Sequence, residues 1–208
     1  MAEPVRFYFD PICPWTYLTS CWARMLERLG EVELSWGLFS LEMQKAGQEP
    51  ENLAAEHARS AVALRTAVLA RDAGGSRGLG TFYASLGARV HERGEPLDAV
   101  ATVEAALEDA GLESALCEKA CADPSTTERM AVEHRELAEC TRSFGVPTIV
   151  LDGGEGPAIF GPVLSEVPTD EDAVQLWRHV SWLVRYQNFS ELKRDRTTAP
   201  GQASLRRR

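Results

Sequence analysis

A cysteine next to a proline is the group in this sequence best placed to do chemistry. Cys13 follows residues 5–10, a β-branched and aromatic run that predicts a buried strand ended by Pro11. Pro14 suits the first position of a helix, where its missing N–H is no loss. Cys13 is therefore expected at a helix N-terminus, where free N–H groups and the helix dipole favour the thiolate. We predict a nucleophile with a depressed pKa, more reactive than the other cysteines.

The neighbours of Cys13 complete the first candidate group. Thr16 stands where a C-x-x-C pair has its second cysteine. Its hydroxyl has two equally weighted interpretations, an inert residue of the first helical turn or a donor to the Cys13 thiolate. Trp15 and Tyr17 are either core residues or a platform for a substrate at the rim of the turn. We take Cys13 and Thr16 as candidate catalytic residues, and Pro14, Trp15 and Tyr17 as candidate binding residues.

The other four cysteines are not expected to react with Cys13. Cys21 is roughly 12 Å further along the helix at 1.5 Å per residue, too far for a disulfide without unwinding. Cys117 and Cys121 are four residues apart on one helix face. Core packing is favoured over a metal pair or redox couple there, because no neighbouring His or Cys completes a zinc set. Cys140 is also predicted to be a core residue, and no metal is expected.

The elements that position Cys13 begin with a strand, a helix and a strand. Apolar residues at helical spacing follow Pro14, and Gly30 ends that helix. Residues 31–40 alternate and predict a second strand, which short links place parallel to the first with a right-handed crossover. After a polar loop, the chain to residue 143 has helical character and no convincing strand. The predicted helices there span residues 53–73 (ended by Gly74 and Gly75), 79–93 (closed by Gly94), 96–110 (from Pro96 to Gly111), 113–121 and, capped by Asp123 and Pro124, 125–142.

Strand character returns in residues 145–151, followed by a turn at 152–154 and a partner strand at 158–161. Thr169 or Asp170 is predicted to cap a last helix that reaches residue 186. Val146 and Pro147 open the third strand, and in thioredoxin-like folds such an X-Pro bond is cis and lies against the active-site cysteine. This order predicts an α/β thioredoxin fold with an inserted helical lobe. The predicted domains are a thioredoxin-like domain (1–43 and 144–191), a helical insertion (44–143) and a basic C-terminal tail (192–208).

Composition sets the class of protein. The net charge of -9 argues against a nucleic-acid binder. No apolar run approaches the roughly 20 residues of a membrane span, so no membrane partner is expected. The first strand starts too early for a signal peptide, and an odd number of cysteines favours a reducing compartment, so we expect a cytoplasmic location. The three closing arginines, 206–208, are interpreted as a solvated tail.

Several stretches resemble actinobacterial DsbA-like proteins related to mycothiol-dependent nitroreductase: FDPICPW (9–15), YLTS (17–20), GARVHERG (87–94), FGPVLS (160–165) and FSELKRDRT (189–197). The resemblance implies a thioredoxin fold with a helical insertion, a cytosolic location and mycothiol as thiol partner. It assigns Cys13 as the nucleophile, His91 to the active-site cleft and Pro147 as the cis-proline. From the residues alone, His91 would more often be a surface or structural histidine. Thr16 departs from the nitroreductase, which has a second cysteine there.

Without a second cysteine, a disulfide at Cys13 must be mixed, and an external thiol must resolve it. The sequence therefore predicts a monothiol thiol-disulfide oxidoreductase that acts on a small-molecule electrophile or disulfide. One alternative is a mycothiol S-transferase or isomerase-like enzyme that activates a bound thiol without a covalent intermediate. Another is a non-catalytic scaffold in which Cys13 is buried and inert. The oligomeric state stays open, with a homodimer as one option.

Overall fold

The computed structural model describes residues 2–196 and 198–201. A four-stranded sheet with strand order β2-β1-β3-β4 forms its centre. The strands are β1 (Glu3–Phe9), β2 (Val32–Leu38), β3 (Thr148–Leu151) and β4 (Ala158–Phe160). β1 pairs in parallel with β2 and antiparallel with β3, which pairs antiparallel with β4. The predicted parallel β1–β2 pair and the thioredoxin topology are confirmed.

Between β2 and β3 the described chain is helical. The helices there are α2 (Leu41–Lys45), α3 (Glu51–Ala58), α4 (Ala61–Gly87), α5 (Val100–Asp109), α6 (Leu116–Ala122) and α7 (Ser125–Thr141). Helix α1 (Pro14–Arg28) connects β1 to β2, and α8 (Asp170–Arg185) follows β4. A π-helical turn (Ala88–Glu92) continues α4, and a 3₁₀ turn (Asp152–Gly154) joins β3 to β4. None of the helices in the described ranges is both long and apolar enough to cross a membrane. The closing arginines, 206–208, lie outside the described residues.

The central strand β1 is covered on both faces. Phe7 and Phe9 are fully buried in the main hydrophobic core, which also contains Trp36 of β2 and Leu64 of α4. On the other face Tyr8 belongs to a second cluster, which we call the small cluster: Tyr8, Phe39, Leu137, Val146 and Val150. The main core joins the sheet to helices of the predicted insertion. The proposed domain boundaries stay a prediction.

Several helix boundaries differ from the sequence prediction, and three of the differences have a clear local cause. The predicted helix over 53–73 is split into α3 and α4 at Ser60, whose hydroxyl donates to the His57 carbonyl oxygen at 3.1 Å. Gly75, with φ 63° and ψ -160°, kinks α4, but the helix continues to Gly87. Glycine adopts this positive φ without the steric cost of a Cβ. Pro96 precedes a turn that buries Leu97, so α5 begins only at Val100.

Of the three cysteines that were predicted to be core residues, Cys117, Cys121 and Cys140, only Cys117 is buried. Cys21 and Cys117 are buried, whereas Cys121 and Cys140 are exposed. Helical spacing predicted a shared face for Cys117 and Cys121, but α6 buries only Cys117 and Ala120. Cys140 lies in the last turn of α7, past the last buried residue of that helix. The core prediction was therefore wrong for Cys121 and Cys140.

A close approach of α4 to β2 gives a test of the fold. A Cβ added at Gly80 would overlap the indole of Trp36, which packs among Phe7, Phe9 and Tyr83. We expect Gly80→Ala to lower the free energy of unfolding by about 1–3 kcal/mol, because an overpacked core forces side chains off their rotamers. Urea denaturation measures this.

Gly74→Ala is the matched control in the same helix. Its Cβ would lie 3.6 Å from a Leu112 methyl carbon, an ordinary contact. Alanine at such a site leaves stability unchanged or raises it by about 0.5–1 kcal/mol. Equal losses in the two variants would contradict the proposed close approach.

Candidate active site

Cys13 lies in the turn that connects β1 to α1. It is the N-cap residue of α1, and Pro14 occupies the first turn. The Cys13 N–H donates to the Asp10 carbonyl oxygen at 3.1 Å, which closes the turn. Tyr17 N–H donates to the Cys13 carbonyl oxygen at 3.1 Å and starts the helix. The local structure that the sequence predicted around this cysteine is confirmed.

The loop before β3 faces the Cys13 sulfur. The Val146–Pro147 peptide bond is cis, and Val146 and Pro147 are buried. The Val146 carbonyl oxygen lies 4.0 Å from Cys13 Sγ, the range of a weak thiol hydrogen bond. Within the loop, the Ser143 and Thr148 hydroxyls lie 2.6 Å apart and hydrogen-bond. The structure therefore brings Cys13, Val146 and Pro147 together.

The predicted depressed pKa of Cys13 is wrong in direction. Cys13 is half-buried and packs against the small cluster. Burial raises the pKa of its thiol above the ordinary value, and the charge of Asp10 adds to this shift. The Thr16 hydroxyl and the amides of Thr16 and Trp15 oppose it. The helix N-terminus does favour the thiolate, as expected, but desolvation outweighs it.

Thr16 has the geometry of a donor to Cys13. Its side chain is fully buried, and its hydroxyl makes no conventional hydrogen bond to any residue that the structure describes. It lies close enough to Cys13 to lower the pKa of that thiol. A buried hydroxyl without another partner is free to donate to a thiolate when one forms. Of the two interpretations of Thr16, the structure favours the donor.

Asp10 is a site residue that the sequence analysis missed. Its carboxylate is fully buried and accepts hydrogen bonds from Ile12 N–H at 3.1 Å and Leu41 N–H at 2.8 Å. Burial raises the pKa of Asp10 to about 6, although these hydrogen bonds and the Ser60 hydroxyl oppose the shift. The available signal was a carboxylate three residues before the cysteine, directly after a buried strand.

The π-helical turn after α4 packs against the residues on either side of Cys13, Pro11 and Tyr17. His91 Nε2 donates to the Pro11 carbonyl oxygen at 2.8 Å, and its ring stacks on Tyr17 with centroids 5.2 Å apart. Tyr17 donates to Glu92 Oε1 at 2.6 Å. A Cβ on Gly87 would overlap the Tyr17 ring, so glycine permits this approach. Burial lowers the pKa of His91, which is therefore neutral near pH 7 and has Nδ1 left as an acceptor.

The rim of the site is formed by Pro14 and Trp15, which stay partly exposed. Tyr17 is buried and supports His91 from behind, so it does not offer the open platform that one interpretation gave it. Arg196, in the segment after α8, lies over the Trp15 ring with its Cζ 5.0 Å from the centroid. Sequence reasoning treated that segment as a tail and missed this contact.

In residues 2–196 and 198–201 no cluster of three potential metal ligands occurs.

The chain is similar in sequence to proteins of a known family. The family model for "Mycothiol-dependent nitroreductase Rv2466c" matches residues 12–194. The chain belongs to this Rv2466c-like family. A relative in Mycobacterium tuberculosis (strain ATCC 25618 / H37Rv), the uncharacterized protein Rv2286c, is 30% identical over 196 residues, which are 94% of this chain and 83% of the relative.

Solved structures similar to this one place the Rv2466c-like chain among DsbA-like proteins of thioredoxin fold. A 2-hydroxychromene-2-carboxylate isomerase superposes with a TM-score of 0.62 and 19% identity, covering 87% of this chain and 96% of the isomerase. The cytosolic disulfide reductase DsbM of Pseudomonas aeruginosa, solved with GSH, gives a TM-score of 0.58 and 15% identity, covering 86% of this chain and 99% of DsbM. At these identities the likeness shows the fold alone.

The role of Thr16 can be tested through the pH dependence of Cys13 alkylation, in a background that carries Cys121→Ser and Cys140→Ser. Thr16→Val should slow alkylation at pH 7 by roughly three- to tenfold, because loss of a donor to the thiolate raises the thiol pKa further. Iodoacetamide labelling followed by intact mass gives the rate. Thr16→Ser keeps the hydroxyl and should retain most of it. Equal rates for the valine and serine variants would refute a donor role.

Substitution of Asp10 is expected to change the rate of Cys13 alkylation in the opposite direction. Its pKa of about 6 makes it mostly ionised at pH 7, where its charge raises the pKa of Cys13. Asp10→Asn should therefore lower that pKa and speed alkylation at pH 7 about two- to fivefold. It should also cost about 1–3 kcal/mol of stability, because one of the two amides loses its acceptor. The control, Asp123→Asn at an exposed cap, should change neither rate nor thiol pKa, and a slower reaction in Asp10→Asn would contradict the expected sign.

Proposed function

We propose that this Rv2466c-like protein is a monothiol thiol-disulfide oxidoreductase with Cys13 as its nucleophile. The observation that carries the proposal is the placement of Cys13 Sγ at the N-terminus of α1, 4.0 Å from the carbonyl oxygen before a cis-proline. The buried Thr16 hydroxyl supplies a donor beside it. The DsbA-like fold and the mycothiol-dependent family support this class of reaction.

The reaction proceeds by two exchanges. The Cys13 thiolate attacks one sulfur of a disulfide, forms a mixed disulfide, and releases the other sulfur as a thiolate that takes up a proton. A second small thiol then attacks the mixed disulfide, and Cys13 leaves as its thiolate. Thr16 donates to the sulfur of Cys13 whenever it carries negative charge. We propose mycothiol for the second thiol, because the family is mycothiol-dependent.

The other thiols of the chain are poorly suited to resolve Cys13. Cys21 is eight residues further along α1, roughly two helical turns away. Cys117 is buried within α6, and Cys140 is exposed on α7. Cys121 is exposed on α6. We propose that the resolving thiol is external, which oxidation of the wild-type chain tests below. A small-molecule disulfide or electrophile is the proposed substrate, and the cytoplasm, where thiols stay reduced, is the proposed location.

One observation favours a second candidate function. The raised pKa of Cys13 leaves little thiolate at neutral pH, which slows covalent attack. A thiol bound beside it could instead be activated by the Thr16 hydroxyl and transferred to an electrophile without a covalent intermediate. This second candidate is a mycothiol S-transferase or isomerase-like enzyme.

Intact mass after incubation with mycothiol disulfide tests the two candidates. In the background variant that carries Cys121→Ser and Cys140→Ser, we expect one mixed disulfide at Cys13, which persists until free thiol is added. Adding Thr16→Cys should make this adduct transient, because first-turn cysteines meet the Cα separation of roughly 4.4–6.8 Å that a disulfide needs. The bound thiol should then be lost and an internal disulfide should remain.

Thr16→Ser is the matched control and should keep the persistent adduct. Absence of any adduct, together with transfer of thiol to an electrophile, would favour the transferase. Non-reducing peptide mapping of the oxidised wild-type chain, which keeps all five cysteines, completes the test. A Cys13–Cys117 or Cys13–Cys140 crosslink there would contradict an external resolving thiol.

A further inference from the structure

We infer that Arg196 selects substrates that carry negative charge beside the atom that Cys13 attacks. The inference deepens the proposed function and rests on it, since it takes Cys13 as the nucleophile. The segment after α8, residues 186–201, which we call the return segment, carries Arg196 to the rim of the site. Arg196 is thus a specificity-determining residue that no similarity to a known protein assigns.

The return segment leaves the C-terminal end of α8 and is anchored to the rest of the chain beyond Arg196. At its start a local turn forms, in which Phe189 N–H donates to the Tyr186 carbonyl oxygen at 2.9 Å. Near its end Gly201 is buried, and its N–H donates to the Ser165 carbonyl oxygen at 2.9 Å. Between these points the guanidinium of Arg196 lies over the ring of Trp15, in the first turn of α1.

The guanidinium of Arg196 is available to a ligand. Arg196 is exposed, and no carboxylate in the part of the chain that the structure describes lies within ion-pair distance of it, including that of its neighbour Asp195. Other arginines, such as Arg28 and Arg185, are paired with carboxylates. A cation that rests on an aromatic face still presents the N–H donors at its edge, which match a carboxylate or phosphate bidentately.

Other ionisable groups around Cys13 do not compete for an anion. His91 is neutral near pH 7, because burial lowers its pKa. The Asp10 carboxylate is buried and bonded to backbone amides, and the Glu92 carboxylate accepts from Tyr17. Positive charge at the rim therefore comes from Arg196. An anionic group on the substrate would approach it while the reacting atom meets Cys13, two residues from Trp15.

Paired alkylating reagents test this without knowledge of the natural substrate. Iodoacetate and iodoacetamide share a reacting carbon and a leaving group but differ by one negative charge. In both reactions Cys13 Sγ bonds to the methylene carbon, the C–I bond breaks, iodide leaves and the thiol proton passes to solvent. The ratio of the two rates cancels the thiolate fraction of Cys13, so it reports the local charge and not the thiol pKa.

The background variant with Cys121→Ser and Cys140→Ser restricts rapid labelling to Cys13. Adding Arg196→Gln should lower the iodoacetate-to-iodoacetamide ratio about three- to tenfold at low ionic strength. Arg196→Lys keeps the charge and should retain most of the ratio. Arg194→Gln is the matched control, because Arg194 is an exposed arginine of the same segment and should leave the ratio unchanged. Salt at 1 M, where the Debye length is about 3 Å, should shrink the effect of Arg196→Gln.

The possible results separate the role of Arg196 from the role of Cys13 as the nucleophile. Normal reaction with iodoacetamide and an unchanged ratio in Arg196→Gln would overturn the role of Arg196 and leave the Cys13 nucleophile intact. An equal loss of ratio in Arg194→Gln would also overturn it, since only the general charge of the segment would then matter. A Cys13 inert to both reagents up to pH 10 would overturn the nucleophile and, with it, the inference.

Discussion

The buried carboxylate of Asp10 is the constraint on which the site depends. It binds the amide of Ile12, in the turn before Cys13, and the amide of Leu41, at the start of the chain leaving β2. It thereby fixes the active-site turn to the start of α2. Burial of an ionised carboxylate costs free energy unless the carboxylate is hydrogen-bonded. The hydrogen bonds of Asp10 offset only part of this cost, so its pKa is still raised to about 6. The Asp10 carboxylate therefore both orders the turn before Cys13 and places a negative charge near the Cys13 sulfur.

Cys13 experiences two opposing influences as a result. The helix N-terminus and Thr16 favour its thiolate, whereas burial against the small cluster and the charge of Asp10 favour its thiol. Burial prevails, so the free protein holds a largely protonated sulfur near pH 7. Such a thiol reacts slowly with electrophiles and oxidants near neutral pH, because the thiolate is the nucleophile.

The sequence predicted what local patterns determine. A strand ended by Pro11, a helix begun by Pro14 and the Val146–Pro147 opening of β3 were all in place. The pKa of Cys13 was not predictable, because its burial comes from Leu137 and Val146, more than 120 residues away. The prediction that Cys140 is a core residue failed for a related reason, because periodicity identifies the buried face of a helix but not the residue at which the core ends. The contact of Arg196 with Trp15 joins segments that no periodicity connects.

Thr16 brings these features together. A threonine can donate one hydrogen bond to the sulfur, but it cannot form the second covalent bond that a cysteine there would supply. In the proposed mechanism Thr16 offsets part of the cost of a charged sulfur at Cys13, and a second thiol that enters the site completes the exchange. Selection in this proposed mechanism rests on the approach of that thiol or substrate past the partly exposed Trp15 and the charge of Arg196. A dithiol site, which has its own resolving cysteine, would not need such a rim for its second step, because that step would be intramolecular.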